Sequence, residues 1–265
     1  MISSVLFVTS FNKQLFDASG KAMCQSFIDS GSVGRLMVVT EGMSGDEVPD
    51  GDNITVHPIE NMKDLRKWEI KNRDIIPKDL GGTAVCRCRG NPPPKSKKHS
   101  MYCPNKWFNR YASKWFRKVV ALIDAMRMGG AEVIIWADCD SVFTKPITDE
   151  VILEALKGKA IGYMKSKQRQ VIESGLLVFH GPRGGFELIE SVFIRYMSGK
   201  FRFDERWDDG FQWQKALEVD PELRRISIDM ATKASGHADV LPHTIFGSYM
   251  EHHKGKHSRI LKLRT

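Results

Sequence analysis

Residues 131–142 read AEVIIWADCDSV, and their interpretation sets the fold. Val133, Ile134, Ile135 and Trp136 form an unbroken apolar run, the pattern of a parallel strand covered on both faces. The run ends in two aspartates one residue apart, Asp138 and Asp140. Ligands of open α/β sheets bind outside the carboxyl edge of the strands, which is where this pair falls. In an extended D-x-D both side chains point the same way and are able to share one hard cation. A solvated strand-to-loop turn accounts for the spacing equally well, because D-x-D is short and common.

The segments before this stretch give it a sheet to belong to. Residues 3–9 (SSVLFVT) read as a first strand, with Ser10, Phe11 and Asn12 as the loop after it. Asn12 is placed to cap a helix over 13–29, and Ser30-Gly31-Ser32 ends it. LMVVT (36–40) and ITVH (54–57) follow as strands, and 60–74 as a helix. Strand, helix, strand at this spacing predicts right-handed βαβ crossovers and a mostly parallel central sheet flanked by helices. The whole chain, 1–265, reads as one domain: a Rossmann-like half over 1–141, interrupted by an insertion at 80–104, and an acceptor half over 142–265.

Composition fits a soluble globule, with 42% hydrophobic and 27% charged residues, and no apolar run approaches the ~20 residues a bilayer span requires. The N-terminus lacks a basic region before its first apolar run, so it reads as a core strand rather than a signal peptide. Five cysteines without framework spacing fit a reducing compartment, so a cytoplasmic location is expected. The net charge of +8 is unevenly spread. Between Leu80 and Ile123 there is no acid, while Arg87, Arg89, Lys95, Lys97 and Lys98 are followed by Lys106, Arg110, Lys114, Arg117 and Lys118. The tail repeats the pattern. Such blocks are commonly solvated surface, and equally suit a polyanion.

The insertion itself holds Gly81-Gly82, three prolines at 92–94 and KSKKH. Cys86, Cys88, His99 and Cys103 are ligand types, but C-x-C with a distant H-x-x-x-C is not a common zinc spacing, so free cysteines are expected. One helix is predicted from Asn105 to about Met128, where Gly129-Gly130 stop it, with Lys106, Arg110, Lys114 and Lys118 as a basic stripe on it. Like charges four apart cost a few tenths of a kcal/mol per pair, so the stripe calls for something anionic against it. Beyond the aspartates, a helix is predicted over 149–156, strands over 160–164 and 175–180, a helix over 185–197, another starting at Asp208 or Asp209, and a strand over 226–230.

The order of these parts resembles a GT-A-type nucleotide-sugar glycosyltransferase. The resemblance is carried by the N-terminal βαβ half, Arg117-Lys118 on the long helix, WADCDSVF, ESGLLVF (173–179), WDDGFQW (207–213) and HHKGKHS (252–258). It covers most of the chain apart from the insertion. It implies transfer of a hexosyl or pentosyl group from a nucleotide-diphosphate sugar, UDP-sugar favoured, with Mn²⁺ or Mg²⁺ stabilising the departing diphosphate. Asp138, Asp140 and His253 are then the metal ligands, and Lys256, or Lys254, contacts the diphosphate. Thr9, Ser10 and Phe11 hold the nucleobase, Lys118 approaches the donor, and Glu173, Asp208 or Asp209 orients the acceptor hydroxyl or accepts its proton.

For the acceptor, the basic residues over 87–118 suggest a nucleic-acid backbone, as in phage-type enzymes that decorate hydroxymethylated bases in DNA, where the location would be the host cytoplasm. A cell-envelope or polysaccharide transferase meets the same charge pattern at an anionic membrane. A nucleotidyltransferase is disfavoured because VTSFNKQ is not a glycine-rich phosphate loop. A nucleic-acid-binding module without enzymatic activity is the remaining alternative.

Overall fold

The structure is a computed structural model that describes residues 2–86, 88, 97–165, 171–231 and 239–253. Its elements follow in chain order. β1 (Val5–Asn12) leads into α1 (Lys13–Leu15), a π-helical turn over Phe16–Gly20 and α2 (Lys21–Ser30). β2 (Arg35–Glu41), β3 (Ile54–Pro58) and α3 (Lys63–Lys71) complete the first half, and α4 (Trp107–Arg110) and α5 (Ala112–Met128) lead to β4 (Val133–Ala137). Then come β5 (Ser141–Phe143), α6 (Asp149–Leu156), β6 (Ile161–Lys165), β7 (Ile172–His180), α7 (Phe186–Ser198), α8 (Asp209–Val219), α9 (Pro221–Arg225), β8 (Ser227–Asp229) and β9 (Met250–His252).

Seven strands form one sheet in the order β3-β2-β1-β4-β7-β6-β8. The pairs β2–β3, β1–β2, β1–β4 and β6–β8 are parallel, and β7 alone in this sheet runs against its neighbours β4 and β6. Chain order reverses direction at β1, with β2 on one side and β4 on the other. The crevice beyond the carboxyl ends of β1 and β4 is therefore the switch point of the fold.

Both faces of the sheet are covered, which explains the uninterrupted apolar runs in β1 and β4. Leu6, Val8, Ile134 and Trp136 face a core built with α5, α7 and α8. Val5, Phe7, Val133 and Ile135 face a second core built with α2 and α6. On the first side, Phe116 of α5 is fully buried and packs on Trp68 and Tyr196 with ring centroids 5.0 Å apart in each case. Gly129 ends α5 at φ 72°, a conformation that costs a residue with a Cβ, so the predicted glycine stop holds.

Several sequence expectations change. β1 extends to Asn12, so Ser10, Phe11 and Asn12 are strand residues and not a loop, and Thr9 of the expected nucleobase trio lies within the strand. Thr9 and Phe11 are buried at 0% and 2% exposure, and only Ser10 is half-buried. Asn12 does cap, its Oδ1 accepting from Leu15 N at 2.9 Å, but the helix that follows is interrupted by the π turn. The helix predicted from Asn105 breaks at Tyr111, whose φ of −103° and ψ of 26° leave the helical range. β5 and β9 were not predicted; three-residue strands carry too little periodicity to be read.

Replacing Phe116 with Ala removes a ring from the centre of one core and leaves a cavity. The expected loss is about 3–5 kcal/mol, measured by urea unfolding. A loss below about 1 kcal/mol would show that α5 does not anchor this face.

Candidate metal and donor site

The last residue of β4 is Ala137, and the next peptide continues the ladder with β7, Asp138 N donating to Gly175 O at 2.9 Å. Because β7 is antiparallel, its beginning, with Glu173, Ser174 and Gly175, lies beside the end of β4. Trp136 Nε1 donates to Asp138 Oδ1 at 2.7 Å. The chain then turns, and β5 pairs antiparallel with β9, placing Ser141 opposite His252. His253 N donates to Asp140 O at 2.9 Å and holds the end of that ladder.

This ladder decides which histidine reaches the carboxylates. His252 Nε2 lies 2.8 Å from Asp140 Oδ1, and its Nδ1 lies 3.4 Å from Asp239 Oδ1. Ligand atoms of Asp138, Asp140 and His252 all lie within 4.8 Å of one another. His253, the residue expected from sequence, instead places Nε2 3.3 Å from Glu251. Neighbouring residues of a strand face opposite ways, so an error of one position exchanges ligand for bystander. Gly175 borders the cluster. A Cβ there would sit 3.4 Å from Asp138 Oδ2, 3.5 Å from His252 Cε1 and 3.8 Å from Glu173 Oε1. Glycine keeps that space open.

Lys118 is not part of an exposed stripe. Its side chain is 10% exposed, and Nζ lies 3.0 Å from Asp138 Oδ1 and 3.0 Å from Asp209 Oδ2. It also donates to Ser174 O at 2.9 Å and Ser174 Oγ at 3.1 Å, and sits 4.9 Å from the centre of the Trp136 ring. Burial opposes its charge, but Asp138 and Asp209 outweigh burial and hold its pKa above the usual lysine value. Asp138 shows the complementary effect: burial raises its pKa, and Lys118, the Trp136 indole and His252 together bring it below the usual carboxylate range. Lys118 and Trp136 occupy Oδ1, and Oδ2 is the oxygen beside Gly175.

The other proposed carboxylates are engaged as well. Asp208 caps α8, accepting from Phe211 N at 3.4 Å, and is held by both Arg206 nitrogens at 2.8 Å. Burial pushes its pKa up while the Arg206 pair opposes the shift. Asp209 is 2% exposed and belongs to Lys118. Glu173 is half-buried at the rim of the cluster. Lys256 lies outside the described residues. Two further bases of the predicted stripe find partners within the chain, Arg110 pairing with Asp79 and Lys106 donating to the Glu205 carbonyl at 3.4 Å, and the neighbouring Arg117 pairs with Glu41 and Glu69. Asp239 had no sequence signal, and Ser174, although within the ESGLLVF stretch, was given no role there.

No protein-family model and no curated protein sequence matches the chain. Among solved structures, the galactosyltransferase LgtC in complex with donor and acceptor sugar analogs aligns over 94% of this chain and 87% of its own, with a TM-score of 0.52 and 12% identity. Mouse xyloside xylosyltransferase 1, apo form, covers 86% and 85% (TM-score 0.49, 14% identity). The apo bifunctional glycosyltransferase WbbM covers 96% and 46% (TM-score 0.49, 12% identity). The alignment with LgtC identifies the fold as GT-A-like.

Lys118→Met leaves Asp138 and Asp209 as buried charges without their cation. It is expected to cost about 3–5 kcal/mol in denaturant unfolding, with part recovered by adding Asp209→Asn. A loss below about 1 kcal/mol, the size of a surface pair, would contradict the buried ion cluster.

Proposed function

We propose that the protein is a metal-dependent glycosyltransferase that moves a hexosyl or pentosyl group from a nucleotide-diphosphate sugar, UDP-sugar first among candidates, to a hydroxyl acceptor. The observation that carries this reading is the Asp138–Asp140–His252 cluster at the carboxyl edge of a GT-A-like sheet. Two carboxylates and one imidazole suit Mn²⁺ or Mg²⁺, and the open space at Gly175 leaves room beside them. Held by Asp138, Asp140 and His252, the cation would supply positive charge that stabilises the leaving diphosphate.

The remaining roles belong to the chain's own groups. Lys118 and Trp136 hold Asp138 by Oδ1, leaving Oδ2 beside Gly175. Asp239, 3.4 Å from the second ring nitrogen of His252, favours positive charge on that imidazole and helps hold it in place. Ser10, half-buried on β1 at the switch point, is the member of the expected nucleobase trio placed to meet the donor. Glu173 is the carboxylate best placed to orient the acceptor hydroxyl or accept its proton, because Asp208 and Asp209 are committed to Arg206 and Lys118. Lys256 of the tail is the proposed diphosphate contact. The internal pairing of Arg110, Arg117 and Lys118 removes most of the helix from any DNA surface. A hydroxymethylated-base acceptor in DNA would therefore be met by the insertion and the tail.

Mn²⁺ titration followed by electron paramagnetic resonance tests the ligand set. Asp140→Asn and His252→Ala are each expected to weaken binding by at least about tenfold and to abolish Mn²⁺-dependent hydrolysis of a UDP-sugar. His253→Ala is expected to bind as the parent does. Undiminished binding in His252→Ala, or loss in His253→Ala, would overturn the assignment. Gly175→Val, which fills the space between the ligands, should lower Mn²⁺ affinity with little change in melting temperature; unaltered affinity would place the cation elsewhere.

A further inference from the structure

The insertion contains a second group of ligand-type side chains, far in chemistry from the first. Cys86, Cys88, His99 and Cys103 bring one ligand atom each to within 4.8 Å of one another. Cys86 Sγ lies 3.6 Å from Cys103 Sγ, and His99 Nδ1 lies 3.4 Å from Cys86 Sγ and 3.3 Å from Cys103 Sγ. No disulfide joins them. A tetrahedral zinc centre with Zn–S of about 2.3 Å and Zn–N of about 2.0 Å has edges of about 3.8 Å between sulfurs and about 3.5 Å between sulfur and nitrogen. The observed separations match those edges.

The surroundings are those of thiolate ligands. Cys88 N lies 3.4 Å from Cys86 Sγ, and Ser100 N lies 3.4 Å from Cys88 Sγ, so backbone N–H groups point at two of the sulfurs. His99 and Cys103 are buried at 6% and 4% exposure. The segment's anchorage is polar: Asn109 Nδ2 donates to the Met101 and Cys103 carbonyls at 2.9 Å and 3.1 Å. Three soft sulfur donors and an imidazole select zinc over the hard cations suited to the Asp138 cluster.

We propose that Cys86, Cys88, His99 and Cys103 bind one structural Zn²⁺. The four ligands fill a tetrahedron, so the site is closed and serves as a clip rather than a catalytic centre. Two ligands come from the chain entering the insertion and two from the chain leaving it. The ion therefore ties the stem of the insertion and carries Lys97 and Lys98 on a fixed base. Binding requires the thiols to be deprotonated and releases their protons to solvent. This site does not depend on the glycosyltransferase reading.

The test is metal content of the full chain, purified without chelator and then reconstituted with Zn²⁺. The parent protein is expected to hold one tightly bound zinc per chain, and Co²⁺ in its place should give an intense near-ultraviolet thiolate-to-cobalt charge-transfer band with the visible bands of a tetrahedral ion. Cys103→Ser and Cys88→Ser should lose that zinc, while Cys24→Ala and Asp140→Asn keep it. Should a cysteine variant fail to fold, the Co²⁺ spectrum of the parent still decides. Absence of tightly held zinc and of the charge-transfer band, or zinc lost with Asp140→Asn but kept in folded Cys103→Ser, would overturn the proposal.

Discussion

A lysine ammonium buried between two aspartates organises the centre of this protein. Removing charges from water costs several kcal/mol per ion, so Lys118 is tolerated only because Asp138, Asp209 and the two Ser174 oxygens surround it. Those partners come from different elements: Asp138 follows β4, Ser174 lies near the start of β7, and Asp209 opens α8. The lysine itself comes from the middle of α5. One side chain therefore fixes the meeting point of a helix, two strands and a second helix. It also fixes the Asp138 carboxylate, leaving one oxygen for the candidate metal.

The rest of the site follows from strand direction. With β7 antiparallel, its beginning comes to the end of β4 and delivers Glu173 and Gly175 to the crevice at the switch point. The small β5–β9 ladder then carries a histidine more than a hundred residues distant onto Asp140. Two short pieces of hydrogen-bonded backbone bring together three candidate ligands that no single local motif contains.

Legibility in the sequence tracked the strength of the local physical signal. Buried runs such as VIIWA and the glycine stop at 129 are local consequences of burial and backbone conformation, and they predicted the central strand and its preceding helix end. The aspartate pair was readable for the same reason. The choice between His252 and His253 was not, because it depends on the register of a three-residue strand. Thr9 and Phe11 misled because β1 runs on past the apolar stretch that marks it. The basic stripe misled differently: periodicity places Arg110 and Lys118 on a helix but says nothing of Asp79 or Asp209 across from them. The insertion's cysteines and histidine were recognised as ligand types, while their convergence depends on a chain reversal that spacing does not encode.

The central claim is that Asp138, Asp140 and His252 form one divalent-cation site used by a nucleotide diphosphate. Crystals grown with Mn²⁺ and UDP, and measured at the manganese absorption edge, test it most directly. An anomalous peak at coordination distance from both carboxylates and the His252 ring is expected, with the UDP diphosphate next to it. A peak bound elsewhere, or UDP bound with no manganese at these residues, would contradict it.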